Sequence, residues 1–307
     1  MHFLQMQELS GDQLHALLLK GIELKRNPRM YHHACERKGL LLLFQKTSTR
    51  TNLSFQSGMM QMGGYTVVMD WEASNFGLSP IRYEARYVST SCDLIMARLK
   101  KHEDVLKLAQ HSSVPVINGC CDKYHPCQAL ADLMTVYEGS GTFDGITLAY
   151  IGIHNNVANS LVEACMKLGV KLLLVTPIIN PASWDEELMR AAVAGGMIER
   201  LNSAAAAIAR AEYVYTDTWI DMEFYNDPGY AEEKRHRIET MMPFQLNQAT
   251  LNGASPYIMH DMPIHPGFEI AEELIESERS VIYRQAENRM HAQKALILHL
   301  LGAEAAL

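Results

Sequence analysis

The sequence has no long hydrophobic run, no block of Lys or Arg residues and no Cys-x-x-Cys pair. Its apolar stretches fall short of the ~20 residues that a membrane-spanning helix requires. The formal net charge of −8 opposes nonspecific binding to nucleic acid, and no basic face interleaved with aromatic residues compensates for it. We therefore expect a globular protein that binds neither membranes nor nucleic acid. Any anionic ligand must be bound by individual Lys or Arg side chains at its site.

The six cysteines are scattered without a repeated spacing, which argues against a zinc site and against a disulfide framework. Reduced thiols in the cytoplasm are the simplest interpretation. Near the N-terminus, Ser10 and Gln13 form a capping-box pattern that opens an amphipathic helix over residues 12–25. A signal peptide would instead have a charged start and an apolar core, so we expect a cytoplasmic protein.

The length and composition predict an ordinary globular protein with two domains, since the chain has 307 residues, of which 48% are hydrophobic and 20% charged. Short apolar runs alternate with helical patterns, which is typical of parallel sheets with right-handed crossovers. The predicted fold class is α/β, with a parallel sheet flanked by helices in each domain. The predicted strands are residues 39–45, 65–69, 94–98, 114–118, 147–152, 171–176, 213–216 and 257–260.

The best candidate for a domain boundary is the segment 138–145, which contains three glycines and separates two sets of alternating strands and helices. The predicted first domain is residues 1–138 and the predicted second domain is residues 139–285. We expect the C-terminal helical segment, residues 286–307, to pack back on the first domain.

Polar side chains follow several of the predicted strands, at the sheet edge where α/β proteins bind their ligands. After the first strand, the hydroxyls of Ser48, Thr49 and Thr51 and the guanidinium of Arg50 precede a helix over residues 53–62. A helix start with free N–H groups and an arginine is suited to a phosphate group. Ser and Thr are also common helix caps, so this segment alone leaves both interpretations open.

A second cluster opens the helix over residues 125–138, where Pro126 occupies the favoured first turn. His125 is expected to be neutral because a helix N-terminus disfavours added positive charge. It could then donate a hydrogen bond to a carbonyl oxygen while Gln128 addresses a neighbouring amide. A histidine that only caps the helix is the alternative.

Three motifs stand out along the chain: KTSTRT at residues 46–51, VPVINGCCDKYHPCQALADLMT at 114–135 and AENRMHAQKAL at 286–296. Together they resemble the carbamoyltransferase family, and within it most closely the ornithine carbamoyltransferases. The resemblance implies a first domain that binds carbamoyl phosphate and a second that binds an amine. It further implies carbamoyl transfer to an ornithine-like amino acid, homotrimers with sites between subunits, and no metal or organic cofactor.

By position, the resemblance assigns carbamoyl phosphate to residues of the first domain and the C-terminal helix. Asn75 would reach the site from an adjoining subunit, and an ion pair with Glu287 on the helix surface is the alternative for Arg289. The implied carbamoyl-phosphate-binding residues are Ser48, Thr49, Arg50, Thr51, Asn75, Arg98, His125, Gln128 and Arg289. Donors from His125, Thr51 and Arg289 would stabilise the negative charge on the carbonyl oxygen in the transition state.

The acceptor side departs from the family pattern, with Asp221 for a serine, Glu223 for a glycine and Asp261 for a cysteine. The resemblance implies acceptor binding by Asn155, Asn156, Asp217, Asp221, Met222, Asp261 and Met262. The implied catalytic residues are Arg50, His125, Gln128, Arg289, Asp217 and Asp261.

The added carboxylates favour a cationic acceptor and disfavour aspartate. Ornithine, a diamine and another ω-amino or guanidino compound remain open, and so does a noncatalytic relative that binds carbamoyl phosphate. Asp261 could accept a proton from the amine or cap the local backbone. Pro263 could follow a cis bond, and the charged segment 223–239 is predicted to be a lid over the acceptor.

Overall fold

The computed structural model describes residues 1–221 and 224–303. The chain forms two compact units, one made of residues 1–134 with the described residues from 287 onward, and one made of residues 135–286. The limits predicted from the sequence for the two domains, 138/139 and 285/286, stay a prediction. In the described part of the chain, no helix combines the length and the apolar character needed to cross a lipid bilayer.

The first unit contains a four-stranded sheet whose strands all pair in parallel. Its strands are β1 (Gly39–Phe44), β2 (Tyr65–Asp70), β3 (Leu94–Arg98) and β4 (Val116–Cys120). The order across the sheet is β2-β1-β3-β4, so β2 lies at an edge. The run of leucines in β1 is buried, whereas Tyr65, Val67 and Val68 of β2 are about half exposed.

The second unit contains a five-stranded parallel sheet of order β7-β6-β5-β8-β9. Its strands are β5 (Thr147–Ile151), β6 (Lys171–Val175), β7 (Ile198–Arg200), β8 (Tyr213–Thr216) and β9 (Tyr257–His260). The predicted α/β class with a parallel sheet in each half is therefore confirmed. The short edge strand β7 was not predicted, and β4 begins two residues later than predicted because Pro115 has no N–H for the ladder.

Helices alternate with the strands, and the starts of three of them, the second, the fifth and the sixth, carry half of the predicted site residues. They are α1 (Gly11–Arg26), α2 (Thr49–Gln61), α3 (Ile81–Val88), α4 (His102–His111), α5 (Pro126–Ser140), α6 (Asn156–Leu168), α7 (Glu186–Ala194), α8 (Ala204–Ile208), α9 (Ala231–Met241), α10 (Gln248–Leu251), α11 (Glu272–Ile275) and α12 (Ile282–Leu301). The predicted lid segment contains α9, and the peptide bond between Met262 and Pro263 is cis, as the sequence suggested.

Candidate functional site

The start of α2 is fixed by a side-chain cap. Ser48 Oγ accepts a hydrogen bond from the Thr51 N–H at 3.2 Å, so α2 begins at Thr49, four positions before the predicted start. Thr49 is exposed and Thr51 is fully buried. The capping interpretation of Ser48 is therefore confirmed, while its predicted contact with phosphate stays a prediction.

Arg289 reaches this helix start from α12. Its Nη2 donates a hydrogen bond to Thr51 Oγ1 at 2.9 Å, and the side chain is 3% exposed. Glu287, on the same helix, forms an ion pair with Lys25 at 3.2 Å. The alternative of a surface ion pair for Arg289 is therefore wrong, because the residue lies inside the first unit.

His125 is a buried residue that feels the charges of four cations of the first unit. The residue is 5% exposed, and burial lowers the pKa of its imidazole well below the ordinary 6.5. The nearby charges of Arg289, Arg98, Lys46 and Arg50 lower this pKa further. The prediction of a neutral histidine is confirmed, but its main cause is desolvation rather than the helix N-terminus.

Gln128 lies in the first turn of α5 and is fully buried. Its Nε2 donates to Asp132 Oδ1 at 2.8 Å, which orients the carboxamide. Among the described residues, the Oε1 atom of Gln128 has no hydrogen-bond partner. A buried acceptor of this kind suits a ligand N–H, such as that of a carbamoyl group.

Two other predicted residues of the first unit lie at a strand end and in a turn. Arg98 is the last residue of β3, and its backbone oxygen accepts the Gln45 N–H at 2.9 Å. Asn75 is exposed and begins a short 3₁₀ turn in which its own carbonyl accepts hydrogen bonds from Leu78 and Ser79. The predicted contacts of Arg98 and Asn75 with carbamoyl phosphate stay predictions.

In the second unit, Asp217 organises the end of β8. Its Oδ2 accepts a hydrogen bond from Asn155 Nδ2 at 2.6 Å and lies 3.3 Å from the Tyr150 hydroxyl. Its Oδ1 accepts the Thr218 N–H at 2.6 Å. Asn155 also caps α6, since its Oδ1 accepts the N–H groups of the next turn, and Asn156 is the first residue of that helix. Asn155 therefore joins the strand end to the helix start.

The turn after β9 brings further polar groups together. His260 Nδ1 accepts the Met262 N–H at 2.8 Å, which places the ring proton on Nε2, 3.1 Å from Glu269 Oε1. Asp217, His260 and Asp261 each have one polar atom within 4.8 Å of those of the other two. The structure thus brings the predicted acceptor residues Asp217 and Asp261 together.

This cluster could in principle hold a metal ion, since it offers two carboxylates and an imidazole. A cation ligated by His260, however, would have to displace either the Met262 N–H or the Glu269 carboxylate from the ring. The hydrogen bonds that orient His260 therefore favour a positioning role over metal ligation.

Asp221 lies beside Arg237 of α9, and its Oδ2 is 3.2 Å from Arg237 Nη1. The predicted lid segment packs against the loop over residues 217–221: its Tyr225, Tyr230 and Ile238 contact a buried cluster that contains Trp219 and Ile220. The predicted acceptor residue Met222 lies outside the described residues, as does Glu223.

Several residues of these clusters were not predicted as site residues from the sequence. Lys46 belongs to the KTSTRT motif, which was the signal that could have found it. Tyr150 ends up near Asp217 through strand pairing, and the remaining missed residues, Glu269, His265 and Arg237, come from segments with no recognised motif.

Comparison with known proteins agrees with this geometry. Residues 1–138 match the model for the aspartate/ornithine carbamoyltransferase carbamoyl-P binding domain, and residues 144–300 match that for the Asp/Orn binding domain. The chain is 39% identical over 301 residues to the anabolic ornithine carbamoyltransferase of Pseudomonas aeruginosa, covering 96% of this chain and 95% of that protein. It is 36% identical over 303 residues to the Haloquadratum walsbyi ornithine carbamoyltransferase, covering 98% of both.

A solved structure shows the same similarity in three dimensions. The ornithine carbamoyltransferase from Pyrococcus furiosus superimposes with a TM-score of 0.90 at 35% identity, over 98% of this chain and 97% of that one. Both halves of the sequence, and the fold over nearly its whole length, lead to one assignment: the chain belongs to the aspartate/ornithine carbamoyltransferase family.

Proposed function

We propose that this protein transfers the carbamoyl group of carbamoyl phosphate to the side-chain amine of L-ornithine, giving citrulline and phosphate. One observation carries the proposal: the charges of four cations act on the buried, neutral imidazole of His125, in the same unit as the buried carboxamide of Gln128. Such a group offers charge to a phosphate and hydrogen bonds to a carbonyl. The relatives named above are ornithine carbamoyltransferases, which supports the choice of acceptor.

The first unit would bind carbamoyl phosphate. Arg50 and Arg98, with the N–H groups at the start of α2, would neutralise the phosphate. Arg289, Thr51 and neutral His125 would donate hydrogen bonds to the carbonyl oxygen, on which negative charge develops. Gln128 Oε1 would accept a hydrogen bond from the carbamoyl NH₂ group. Together these groups would polarise the carbonyl and hold the phosphate as leaving group.

The second unit would bind the acceptor. The carboxylates of Asp217 and Asp261 would attract its ammonium groups, while Asn156 would bind its carboxylate. The side-chain ammonium would first release one proton to solvent. The resulting uncharged amine would then attack the carbonyl carbon, and the bond from that carbon to the bridging phosphate oxygen would break. The departing phosphate or Asp261 would accept the amine proton, so no covalent enzyme intermediate is needed.

Steady-state assays test this proposal. Purified protein is incubated with carbamoyl phosphate and with L-ornithine, putrescine, L-lysine or L-aspartate, and both phosphate and the ureido product are measured. We expect the largest kcat/KM with L-ornithine and no turnover of L-aspartate. Preference for putrescine or lysine would contradict the choice of acceptor. Absence of turnover with every amine, together with tight binding of carbamoyl phosphate, would support a noncatalytic binding protein instead.

We also propose that the protein acts as a homotrimer with sites between subunits. Supporting this are the half-exposed apolar side chains of the edge strand β2 and the exposed Leu53, Met60 and Leu78, all in the first unit. Asn75 lies in the same region of the chain, in an exposed turn from which an adjoining subunit could be reached. A cytoplasmic location is proposed on the basis of six cysteines without disulfides.

A further inference from the structure

The loop from Asp217 to Asp221 is joined to α9 by one buried arginine. Arg237 is 7% exposed, and its Nη1 lies 3.3 Å from the Trp219 carbonyl oxygen, to which it donates, and 3.2 Å from Asp221 Oδ2. Its Nε donates to Glu233 Oε1 at 2.9 Å, within the same helix. The guanidinium therefore bonds both the backbone and a side chain of the loop.

The same loop is held at its other positions too. The Thr218 hydroxyl donates to the Ile220 carbonyl at 3.0 Å and lies 3.0 Å from His265 Nδ1. The side chains of Trp219 and Ile220 are at most 2% exposed and pack with Met241 of α9. Asp217, at the start of the loop, thus presents its carboxylate from a backbone that Arg237 fixes at the far end.

The charges of this contact also change the interpretation of Asp221. From the sequence, its carboxylate was expected to add to the negative field that attracts the acceptor. In the structure it faces the buried guanidinium of Arg237, whose charge it compensates together with Glu233. The acceptor would then meet the carboxylates of Asp217 and Asp261, while Asp221 is engaged by the lid helix.

We propose that Asp221 and Arg237 form a positioning pair that sets the geometry of the Asp217 loop, so that Asp221 governs acceptor affinity through Arg237 rather than by contact with the acceptor. This inference rests on the proposed function for its kinetic consequence. Its structural part, the fixing of the loop by Arg237, stands on the hydrogen bonds alone.

A double-mutant cycle with Asp221→Asn and Arg237→Gln in the full-length protein tests the pair. We expect each single variant to raise KM for L-ornithine about tenfold, as for a lost hydrogen bond to a charged group, and to leave KM for carbamoyl phosphate unchanged. The double variant should be no worse than Arg237→Gln alone, and Arg237→Lys should restore part of the affinity. The control is Arg235→Gln, an exposed arginine on the same helix, which should behave like the wild type.

Hydrogen exchange of the peptide covering residues 217–221 gives a readout that needs no substrate. We expect exchange to be faster in Asp221→Asn and Arg237→Gln than in the wild type and in Arg235→Gln. Unchanged exchange would overturn the inference even if the enzyme is active. If Asp221→Asn raises KM for L-ornithine by the same factor in the wild type and in Arg237→Gln, the inference is overturned in favour of direct contact between Asp221 and the acceptor. An inactive wild type would instead overturn the proposed function, and the exchange data would still decide the role of Arg237.

Discussion

Arg289 Nη2 donates a hydrogen bond to Thr51 Oγ1 at 2.9 Å, although the two residues lie 238 positions apart in the chain. Both side chains are buried, and Arg289 also contributes to the low pKa of His125. Helix α12 therefore completes a group of residues that begins at the first strand. A chain lacking this helix would lose a cation and a hydrogen-bond donor from the proposed carbamoyl phosphate site.

Replacement of Arg289 by Met should lower kcat by about 10²–10³-fold, the effect of removing one donor to a developing oxyanion. The substitution keeps an unbranched side chain of similar length but removes the guanidinium from Thr51. Citrulline formation under saturating substrates measures the effect. Thr51→Ser, which retains the hydroxyl, is the matched control and should stay near wild-type activity. Equal loss in both variants would indicate a packing defect instead.

Inorganic phosphate should stabilise the protein against unfolding, because it would bind among the cations around His125. At a concentration of 100 times Kd the gain in free energy of unfolding is about 2.7 kcal/mol for one site. Thermal unfolding with phosphate or with potassium chloride of equal ionic strength measures it. Arg50→Gln should reduce the gain from phosphate. An equal gain from both salts would argue against a built anion site.

The pH dependence of stability should carry the signature of His125. Its pKa is lower in the folded protein than the ordinary 6.5 expected for the unfolded chain, so the unfolded chain binds more protons between the two values. The contribution of this residue to stability is therefore complete above pH 6.5 and decreases as the pH falls below it. Urea unfolding at pH 7.5 and pH 5.5 should show a smaller loss on acidification in His125→Asn than in the wild type. Exposed His236→Asn is the control, and equal losses in all three proteins would contradict the prediction.

Assembly should depend on the exposed edge strand of the first unit. Val68 on β2 is 48% exposed and Val193 on α7 is 52% exposed, so Val→Lys at the two sites is a matched comparison. We expect Val68→Lys to dissociate the proposed trimer and Val193→Lys to leave it intact, because a charge in an apolar interface is costly to desolvate. Light scattering after size-exclusion chromatography measures the mass. A trimer in both variants would exclude β2 from the interface.

Much of the fold followed from local pattern. The leucine run of β1 is long, apolar and bounded by polar residues, and the buried strands of both units are of this kind. Strand β7 has only three residues and lies at a sheet edge, where a weak pattern is to be expected. The start of α2 depended on whether Ser48 or a later residue caps the helix, which the sequence left open.

The proposed phosphate-binding motif was readable because its residues are adjacent in sequence, whereas the contacts of the second unit depend on packing. Asp221 and Arg237 are 16 positions apart, and no helix or strand periodicity in the sequence between them predicts that they are in contact. The expectation that Asp221 adds charge to the acceptor pocket used only its residue type. The structure shows that Arg237 of α9 is its partner.

The turn after β9 carries oxygen at position 261, where ornithine carbamoyltransferases are expected to have sulfur. All six cysteines lie elsewhere, and burial raises the pKa of the Cys121 and Cys127 thiols to about 12. At neutral pH such thiols are almost entirely protonated, and protonated thiols react slowly with peroxides and alkylating agents. This turn therefore has no thiol for an oxidant to attack, and an inhibitor designed to trap a nucleophilic cysteine there would find none.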